Sequence, residues 1–283
     1  VDKLISLTQE AAKEKASLIL FPEVIIPGYP RGLIFGTTVG GRLPEGREMF
    51  LRYWENAIEV PGKETDQLAR AAKEAQAHLV VGVTEKDKVS DTLYCTLLYF
   101  SPEGKLIHKH RKLKPTAAER IIWGEGDGSD LQVLDTPLGK IGGLICWENY
   151  MPLARNAIYE TGAQILAAPT WDKSPNWVQS MQHIAREGGI FVVSTCIAIR
   201  KDDIPNEFEF KNLYPKEREW INSGNSCIID PKGQIIAGPL EAEEGILYAE
   251  IDLNTITEAK RMFDVVGHYA RPDVFNFSIK KNQ

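Results

Sequence analysis

Apolar positions along the first third of the chain switch between a helical period and short continuous runs. Residues 2–15 carry apolar side chains at helical spacing, and the run "SLILF" that follows predicts a buried strand. "KETDQLARAAKEAQ" and "HLVVGVT" repeat the same helix-then-strand order. Repetition of this order indicates α/β layering, in which helices cover the faces of sheets.

Two further segments predict hairpins. "TLLYFSPEGKLIHKH" and "SCIIDPKGQIIAGP" are both apolar runs interrupted by a Pro-x-Gly turn. This weak internal repeat favours two similar half-sheets that cover each other's inner face, with helices outside. No low-complexity tract or Gly/Ser linker divides the chain, so we predict a single domain over residues 1–283.

The second half of the chain continues the α/β pattern. "KIGGLIC" predicts a glycine-rich strand, "PLARNAIYET" a helix and "AQILAAP" the next strand. Cys146 would lie just past the carboxyl end of a strand, where open α/β sheets place ligands. "DLNTITEAKRMFD" predicts a helix, and "VVGHYARPDVFNF" an extended tail that either packs on its own sheet or crosses to a partner subunit.

Charge and cysteine usage narrow the function class. The 39 acidic and 33 basic side chains give a net charge of −6 without a basic patch, which argues against nucleic-acid and membrane-surface partners. The apolar runs are too short to span a bilayer. Cysteines 95, 146, 196 and 227 have no CxxC spacing, so we expect free thiols and a cytoplasmic location, although a chain beginning at Val1 leaves a removed targeting segment open. The expected partner is a small molecule or another protein chain.

Cys146 differs from the other three cysteines in its position. Cysteine is more often a buried, inert residue than a nucleophile, and Cys95, Cys196 and Cys227 lie inside apolar strand runs that favour this interpretation. Cys146 lies at a chain elbow, which exposes a side chain together with unpaired backbone N–H groups. A nucleophilic thiol also needs a base or a cation beside it.

Two stretches offer such groups. Glu23 in "LILFPEVIIPGYP" follows a strand among apolar neighbours, and loss of solvent there would raise its pKa and suit a general base. A loop-end carboxylate facing water is an equally favoured interpretation of Glu23. The basic run in "HKHRKLKPTAAER" is typical of a solvated face, and spacing does not decide which of its lysines could point inward.

Rival chemistries have less support. A papain-like cysteine–histidine pair could use His183 or His110, but the cysteine signatures of those proteases are absent. No His or Cys pair has the spacing of zinc ligands, so we expect neither a metal nor a cofactor.

Taken together, these stretches resemble the nitrilase branch of the carbon–nitrogen hydrolase superfamily. "FPE", "HRKLKPT" and "CWEN" occur in the order that this family shows. Supporting segments extend the resemblance over nearly the whole chain: "AERIIWGEGDGS", "NYMPLARNAIY", "APTWDKSPNW", "HIAREGG" and "GHYARPD".

The resemblance implies a role for each matching residue. Glu23 would be the general base, Lys112 the cation beside the developing negative charge, and Cys146 the nucleophile. Glu119 matches the second glutamate, which positions the others, and the backbone N–H of Trp147 would share the charge with Lys112. The substrate pocket would be lined by Tyr29, Trp147, Pro169, Thr170 and Trp171.

The resemblance also implies a fold and an activity. The fold would be a four-layer α-β-β-α sandwich that pairs into homodimers or larger spirals. Members of the family begin with a strand before the first helix, so we expect residues upstream of Val1. The family also has a C-terminal tail linked to higher assembly, and we expect this tail to be short or absent here. The expected reaction hydrolyses organic nitriles to a carboxylic acid and ammonia through a thioimidate and a thioester. The aromatic residues Tyr29, Trp147 and Trp171 favour tolerance of aryl or long aliphatic nitriles, and the preferred nitrile stays open.

Three alternatives stay open at this point. An amidase or a cyanide hydratase of the same superfamily would use the same residues. A non-catalytic interaction protein with the same fold is less favoured, because Glu23, Lys112, Glu119 and Cys146 are all present.

Overall fold

The computed structural model describes residues 1–280, so residues 281–283 of the predicted domain lie outside the described residues. The helices within this range are α1 (Asp2–Lys13), α2 (Glu45–Asn56), α3 (Lys63–Ala75), α4 (Pro152–Glu160), α5 (Pro175–Gly188) and α6 (Asn254–Met262). Short 3-10 helices span Ala117–Ile121, Cys146–Tyr150, Lys201–Asp203 and Glu209–Leu213.

The strands belong to two large sheets and one small ribbon. They are β1 (Leu18–Leu20), β2 (Thr37–Thr38), β3 (Gly41–Arg42), β4 (Ile58–Glu59), β5 (His78–Lys86), β6 (Leu93–Phe100), β7 (Leu106–Arg111), β8 (Leu134–Thr136), β9 (Gly139–Gly143), β10 (Ile165–Thr170), β11 (Phe191–Cys196), β12 (Ala198–Arg200), β13 (Trp220–Ile229) and β14 (Ile235–Glu241).

The first sheet has the order β1-β5-β6-β7, with β4 also paired to β5. β1 and β4 run parallel to β5, whereas β5, β6 and β7 form an antiparallel meander. The hairpin predicted at "TLLYFSPEGKLIHKH" is therefore confirmed as β6–β7.

The second sheet has the order β12-β13-β11-β10-β9-β8, with β14 paired to β13. β9, β10 and β11 run parallel, so their carboxyl ends meet at one edge of the sheet. The second predicted hairpin is confirmed as the antiparallel pair β13–β14.

Three apolar clusters separate four layers of secondary structure. Consecutive strand residues point to opposite faces of a sheet. On β6, Leu98 packs with the helices outside the first sheet, and Leu97 packs between the sheets. On β10, Ile165 packs between the sheets, and Leu166 packs against the helices outside the second sheet. The outer helices are α1 and α3 on one side and α4 and α5 on the other, which confirms the α-β-β-α prediction.

The structure departs from the predicted elements in places. Helix α1 ends at Lys13, two residues before the predicted end. The tail that was predicted to be extended, residues 265–277, contains turns. Val265 and Val266 pack on the outer cluster of the second sheet, while Tyr269 and Phe275 are 59% and 73% exposed. The start of the tail thus packs on its own subunit. Within residues 1–280, no helix combines the length and the hydropathy needed to cross a membrane.

Candidate active site

Glu23 lies where the chain leaves β1 and continues beside β5. Ile25 N–H donates to the Gly82 carbonyl at 2.9 Å, which holds this segment against the strand. A Cβ at Gly82 would lie 2.8 Å from Glu23 Cα, so the close approach depends on the glycine. Val24 has φ +46°, a rare conformation for a β-branched residue. Glu23 is fully buried, so of the two interpretations left open by the sequence the solvent-facing one is wrong.

Lys112 stands between two carboxylates. Its Nζ lies 2.7 Å from Glu23 Oε1 and 2.7 Å from Glu119 Oε2. Glu119 belongs to the 3-10 helix after β7, and its Oε2 also accepts the Thr116 N–H at 2.6 Å. Lys112 is the lysine of the basic run that points inward, whereas Lys114 is exposed and pairs with Glu125.

Cys146 begins the 3-10 helix after β9 and has φ +52°. Its Sγ accepts a hydrogen bond from Thr170 Oγ1 at 3.1 Å, and Thr170 ends β10. The next residue, Trp171, donates its backbone N–H to Glu23 Oε2 at 2.9 Å. The carboxyl ends of β9 and β10 therefore bring the thiol to the carboxylate supplied by the first sheet.

Burial and neighbouring charges together shift the pKa values of these groups. Burial raises the pKa of the Cys146 thiol, the negative charge of Glu23 adds to this, and Lys112 and Thr170 oppose it. Burial also raises the pKa of Glu23, against the lowering effect of Lys112. Burial acts to lower the pKa of Lys112, but Glu23 and the neighbouring thiols outweigh it and raise that pKa well above its usual range. The resting site thus holds an ammonium and an uncharged thiol beside a carboxyl base.

Aromatic rings form one wall beside the carboxylates. The Tyr29 ring stacks on Trp171 with centroids 4.4 Å apart, and its edge meets Trp123 at 5.7 Å. The Tyr29 hydroxyl donates to Glu119 Oε1 at 2.6 Å. Tyr29 therefore lies among the aromatic residues, as predicted, and also binds Glu119 directly through a hydrogen bond.

The other predicted pocket residues occupy varied positions. Pro169 is buried in β10 opposite Thr195 of β11. The Trp147 indole is 49% exposed and donates from Nε1 to Asp172 Oδ2 at 2.9 Å. The backbone N–H of Trp147 lies in the first turn of the 3-10 helix, where N–H groups lack intrahelical partners. Its part in charge stabilisation and the part of Pro169 in the pocket stay predictions.

His110 and His183, the candidate partners of a papain-like pair, bind acidic residues and not Cys146. His110 lies between Asp130 and Glu148, and His183 is a surface residue paired with Glu187. Among the hydrogen bonds of residues 1–280, none joins either histidine to Cys146. Across the same residues, no cluster of three or more His, Cys, Asp or Glu side chains has the arrangement of a metal site.

Comparison with known proteins identifies the family to which this arrangement belongs. The carbon-nitrogen hydrolase family model matches residues 1–261. The chain belongs to the carbon–nitrogen hydrolase family.

Two relatives support this membership, and one solved structure has the same fold. The chain is 48% identical over 286 residues to "Nitrilase 3" of Arabidopsis thaliana, covering 100% of this chain and 82% of the relative. It is also 48% identical over 285 residues to a bifunctional nitrilase/nitrile hydratase of Nicotiana tabacum, covering 99% and 81%. A carbon–nitrogen hydrolase from Helicobacter pylori matches the fold with a TM-score of 0.73 at 20% identity, over 96% of this chain and 90% of that chain. The predicted resemblance to nitrilases is confirmed.

Three residues to which no role was assigned from the sequence also contact this site. Asn222 of β13 donates from Nδ2 to the Trp171 carbonyl at 2.7 Å, and so helps to fix the residue whose N–H binds Glu23. Cys95, predicted to be an inert core residue, is buried in β6 with its Sγ 3.8 Å from Glu23 Oε1. Asn149 donates from Nδ2 to the carbonyls of Leu144 and Cys146 and holds the elbow. Only the "CWEN" motif, which contains Asn149, gave a signal for any of them.

Proposed function

We propose that this carbon–nitrogen hydrolase is a nitrilase that converts organic nitriles to carboxylic acids and ammonia. The observation that carries the proposal is the Lys112 ammonium, bound by two buried carboxylates, in the same site as the Cys146 thiol. Identity of 48% to a named nitrilase over the whole chain supports the choice of nitriles.

In the proposed reaction, the Cys146 sulfur attacks the nitrile carbon as Glu23 takes the thiol proton. The nitrile nitrogen receives that proton, which leaves a thioimidate bonded to Cys146. Water, deprotonated by Glu23, adds to the thioimidate carbon; the nitrogen leaves as ammonia and a thioester remains. A second water displaces the sulfur, which regains a proton, and the carboxylic acid departs.

Negative charge develops on the nitrile nitrogen and later on an oxygen. Lys112 supplies a fixed positive charge in a buried site, and the Trp147 N–H supplies a donor at the elbow. Glu119 and Tyr29 fix the Lys112 ammonium and act as positioning residues.

A second product has specific support. The tetrahedral adduct formed from the thioimidate can expel the sulfur in place of ammonia, which would release an amide. The tobacco relative is named as a bifunctional nitrilase/nitrile hydratase, and this favours an amide fraction here. Amidase and cyanide hydratase activities remain the competing proposals.

A panel of aliphatic, arylacetonitrile and aromatic nitriles tests the proposal, with amides and cyanide as competing substrates. Ammonia, acid and amide are quantified for the wild type, Cys146→Ala and the matched control Cys227→Ala, a buried thiol in the outer cluster. We expect nitrile turnover, loss of at least ~10³-fold in Cys146→Ala, and little change in Cys227→Ala. Intact mass spectrometry should detect acyl adducts on Cys146. Turnover of amides alone, or an active Cys146→Ala, would refute the proposal.

We also propose that the chain works in the cytoplasm as a homodimer or larger homo-oligomer. All four cysteines are buried free thiols, which supports a reducing compartment. Sedimentation velocity of the purified chain and fractionation of the source cells test these two points. A monomer at micromolar concentration, or recovery outside the cytoplasm, would contradict them.

A further inference from the structure

The Glu148 carboxylate lies behind the Cys146 elbow and is 1% exposed. Its Oε2 accepts the Ile145 N–H at 2.6 Å, and its Oε1 accepts the Leu113 N–H at 2.6 Å. Ile145 directly precedes the proposed nucleophile, and Leu113 directly follows Lys112. One carboxylate therefore joins the backbone beside the nucleophile to the backbone beside the active-site lysine.

His110 completes a second buried charge group around Glu148. Its Nε2 lies 3.1 Å from both oxygens of Glu148, and its Nδ1 lies 2.8 Å from Asp130 Oδ1. Asp130 Oδ2 accepts the Arg111 N–H at 2.9 Å, which ties the group to β7. Because a carboxylate faces each ring nitrogen, both nitrogens are donors and the ring is an imidazolium. Burial acts to lower the pKa of His110, but Glu148 and Asp130 outweigh it and raise that pKa to about 10.

We infer that Glu148 is a positioning residue that fixes the separation of Lys112 and Cys146, and that His110 holds the Glu148 carboxylate in its orientation. The inference rests on the proposed function, because it assigns Glu148 to the same reaction. Glu148 is not a catalytic residue, since its oxygens bind backbone N–H groups and His110.

The geometry predicts different consequences for substitution of Glu148 and of His110. In Glu148→Gln an amide NH₂ replaces one oxygen and faces a backbone N–H, so one of the two ties is lost. Misplacement of reacting groups by about 1 Å can cost 10²-fold in rate. In His110→Gln two buried carboxylates lose the cation that lies between them, so Glu148 loses the side chain that orients it.

The other titratable groups near this cluster do not replace His110. Tyr99 of β6 and His108 of β7 have pKa values shifted towards their neutral forms by burial. Cys95 of β6 is shifted in the same way. The Arg111 guanidinium forms ion pairs with Glu85 and Asp87. Among these neighbours, His110 is therefore the cation that faces both Glu148 and Asp130.

The test compares Glu148→Gln and His110→Gln with Glu85→Gln. Glu85 is a matched control because it is equally buried and pairs with Arg111 and Lys109, without binding either active-site backbone. For each variant we would measure kcat and KM for a nitrile that the wild type hydrolyses, kcat from pH 5.5 to 8.5, the rate of iodoacetamide labelling at Cys146, and unfolding in urea.

We expect Glu148→Gln to lower kcat by about 10–100-fold with little change in KM. His110→Gln should also lower kcat, because the Glu148 carboxylate loses the side chain that orients it. Glu85→Gln should lose stability but keep kcat. A wild-type kcat in Glu148→Gln, or an equal kcat loss in Glu85→Gln, would overturn the inference.

Two further measurements distinguish a failure of the inference from a failure of the proposed function. If the wild type releases ammonia from no nitrile, the proposed function fails, and an unchanged iodoacetamide rate in Glu148→Gln would overturn the positioning role as well. If Glu148→Gln does not fold, Glu148→Asp, which retains a carboxylate on a shorter chain, takes its place. Wild-type kcat and labelling rate in Glu148→Asp would then overturn the inference.

Discussion

At the scale of single residues, the site depends on a cation held by two anions. Lys112→Ala removes the ammonium that we propose to stabilise the developing negative charge. Loss of one such group costs about 3 kcal/mol in the barrier, or roughly 100-fold in turnover. Ammonia release at saturating nitrile should show this loss in kcat, while circular dichroism shows that the variant is folded.

Lys114→Ala is the matched control for Lys112→Ala. Lys114 belongs to the same basic run but is exposed and pairs with Glu125 at the surface. Its removal should leave kcat unchanged. A Lys112→Ala variant with turnover close to that of Lys114→Ala would require a different role for Lys112.

The pH dependence of the reaction should report on Glu23. Burial raises the pKa of Glu23 above its usual 4.5, and Glu119 adds to the rise. The base form is lost as the pH falls through this raised pKa, so the acid limb of kcat/KM should lie above pH 4.5. Glu119→Gln removes one neighbouring negative charge and should move that limb to lower pH. The profile is measured with an uncharged nitrile, and an acid limb at or below pH 4.5 in the wild type would contradict this assignment.

The family resemblance predicted Glu23, Lys112 and Cys146 because the three motifs that contain them occur together and in the order of the family. The basic run alone did not decide between its lysines; the structure does so through the distances from Lys112 to Glu23 and Glu119. The link from Glu148 to Leu113 and the link from Asn222 to Trp171 could not be predicted, because each joins a side chain to a backbone atom of a segment distant in the sequence. Side-chain type carries no signal for such pairings.

At the scale of elements, the glycine-rich strand β9 sets how closely the two sheets approach beside the thiol. A Cβ at Gly143 would lie 2.0 Å from the Tyr99 hydroxyl and 2.8 Å from Leu97 Cδ2. Gly143→Ala should therefore lower the free energy of unfolding by about 1–3 kcal/mol through overpacking. Urea unfolding measures the loss.

Two companion variants make the Gly143 prediction specific. Tyr99→Phe removes the hydroxyl, so combining it with Gly143→Ala should recover part of the lost stability, as a double-mutant cycle would show. Gly245→Ala is the control, because its Cβ would meet its nearest neighbour at an ordinary 3.4 Å. Equal losses in the two glycine variants would exclude close packing as the reason for Gly143.

The same scale shows which elements the sequence could predict. The β6–β7 and β13–β14 hairpins followed from Pro-x-Gly turns between apolar runs, because such a turn is a local signal. The turn at Glu23 could not be predicted from the local sequence. It requires a positive φ at Val24, and this conformation is stabilised by close packing against Gly82 on another strand. The 265–277 tail was predicted to be extended, but residues 265–269 and 272–274 form turns and Phe275 is largely exposed.

At the scale of the whole molecule, the site is divided between the two sheets. Glu23, Lys112 and Glu119 come from the first sheet and its loops, whereas Cys146 and Thr170 come from the second. The cluster between the sheets is the layer that holds these two halves at a fixed distance. The outer clusters support each sheet separately from its helical side. Catalysis should therefore be more sensitive to the inner layer than to either outer layer.

A pair of cavity variants tests this difference. Leu97→Ala opens a cavity between the sheets, and Met181→Ala opens one between the second sheet and α5; both side chains are fully buried. Each should lower the free energy of unfolding by about 2–5 kcal/mol. Only Leu97→Ala should also lower kcat per folded molecule, because the inner cavity lets the thiol shift relative to Glu23 and Lys112. Activity is measured at 15 °C and divided by the folded fraction from urea curves. Equal kcat values for the two variants would mean that the spacing of the sheets does not control the site.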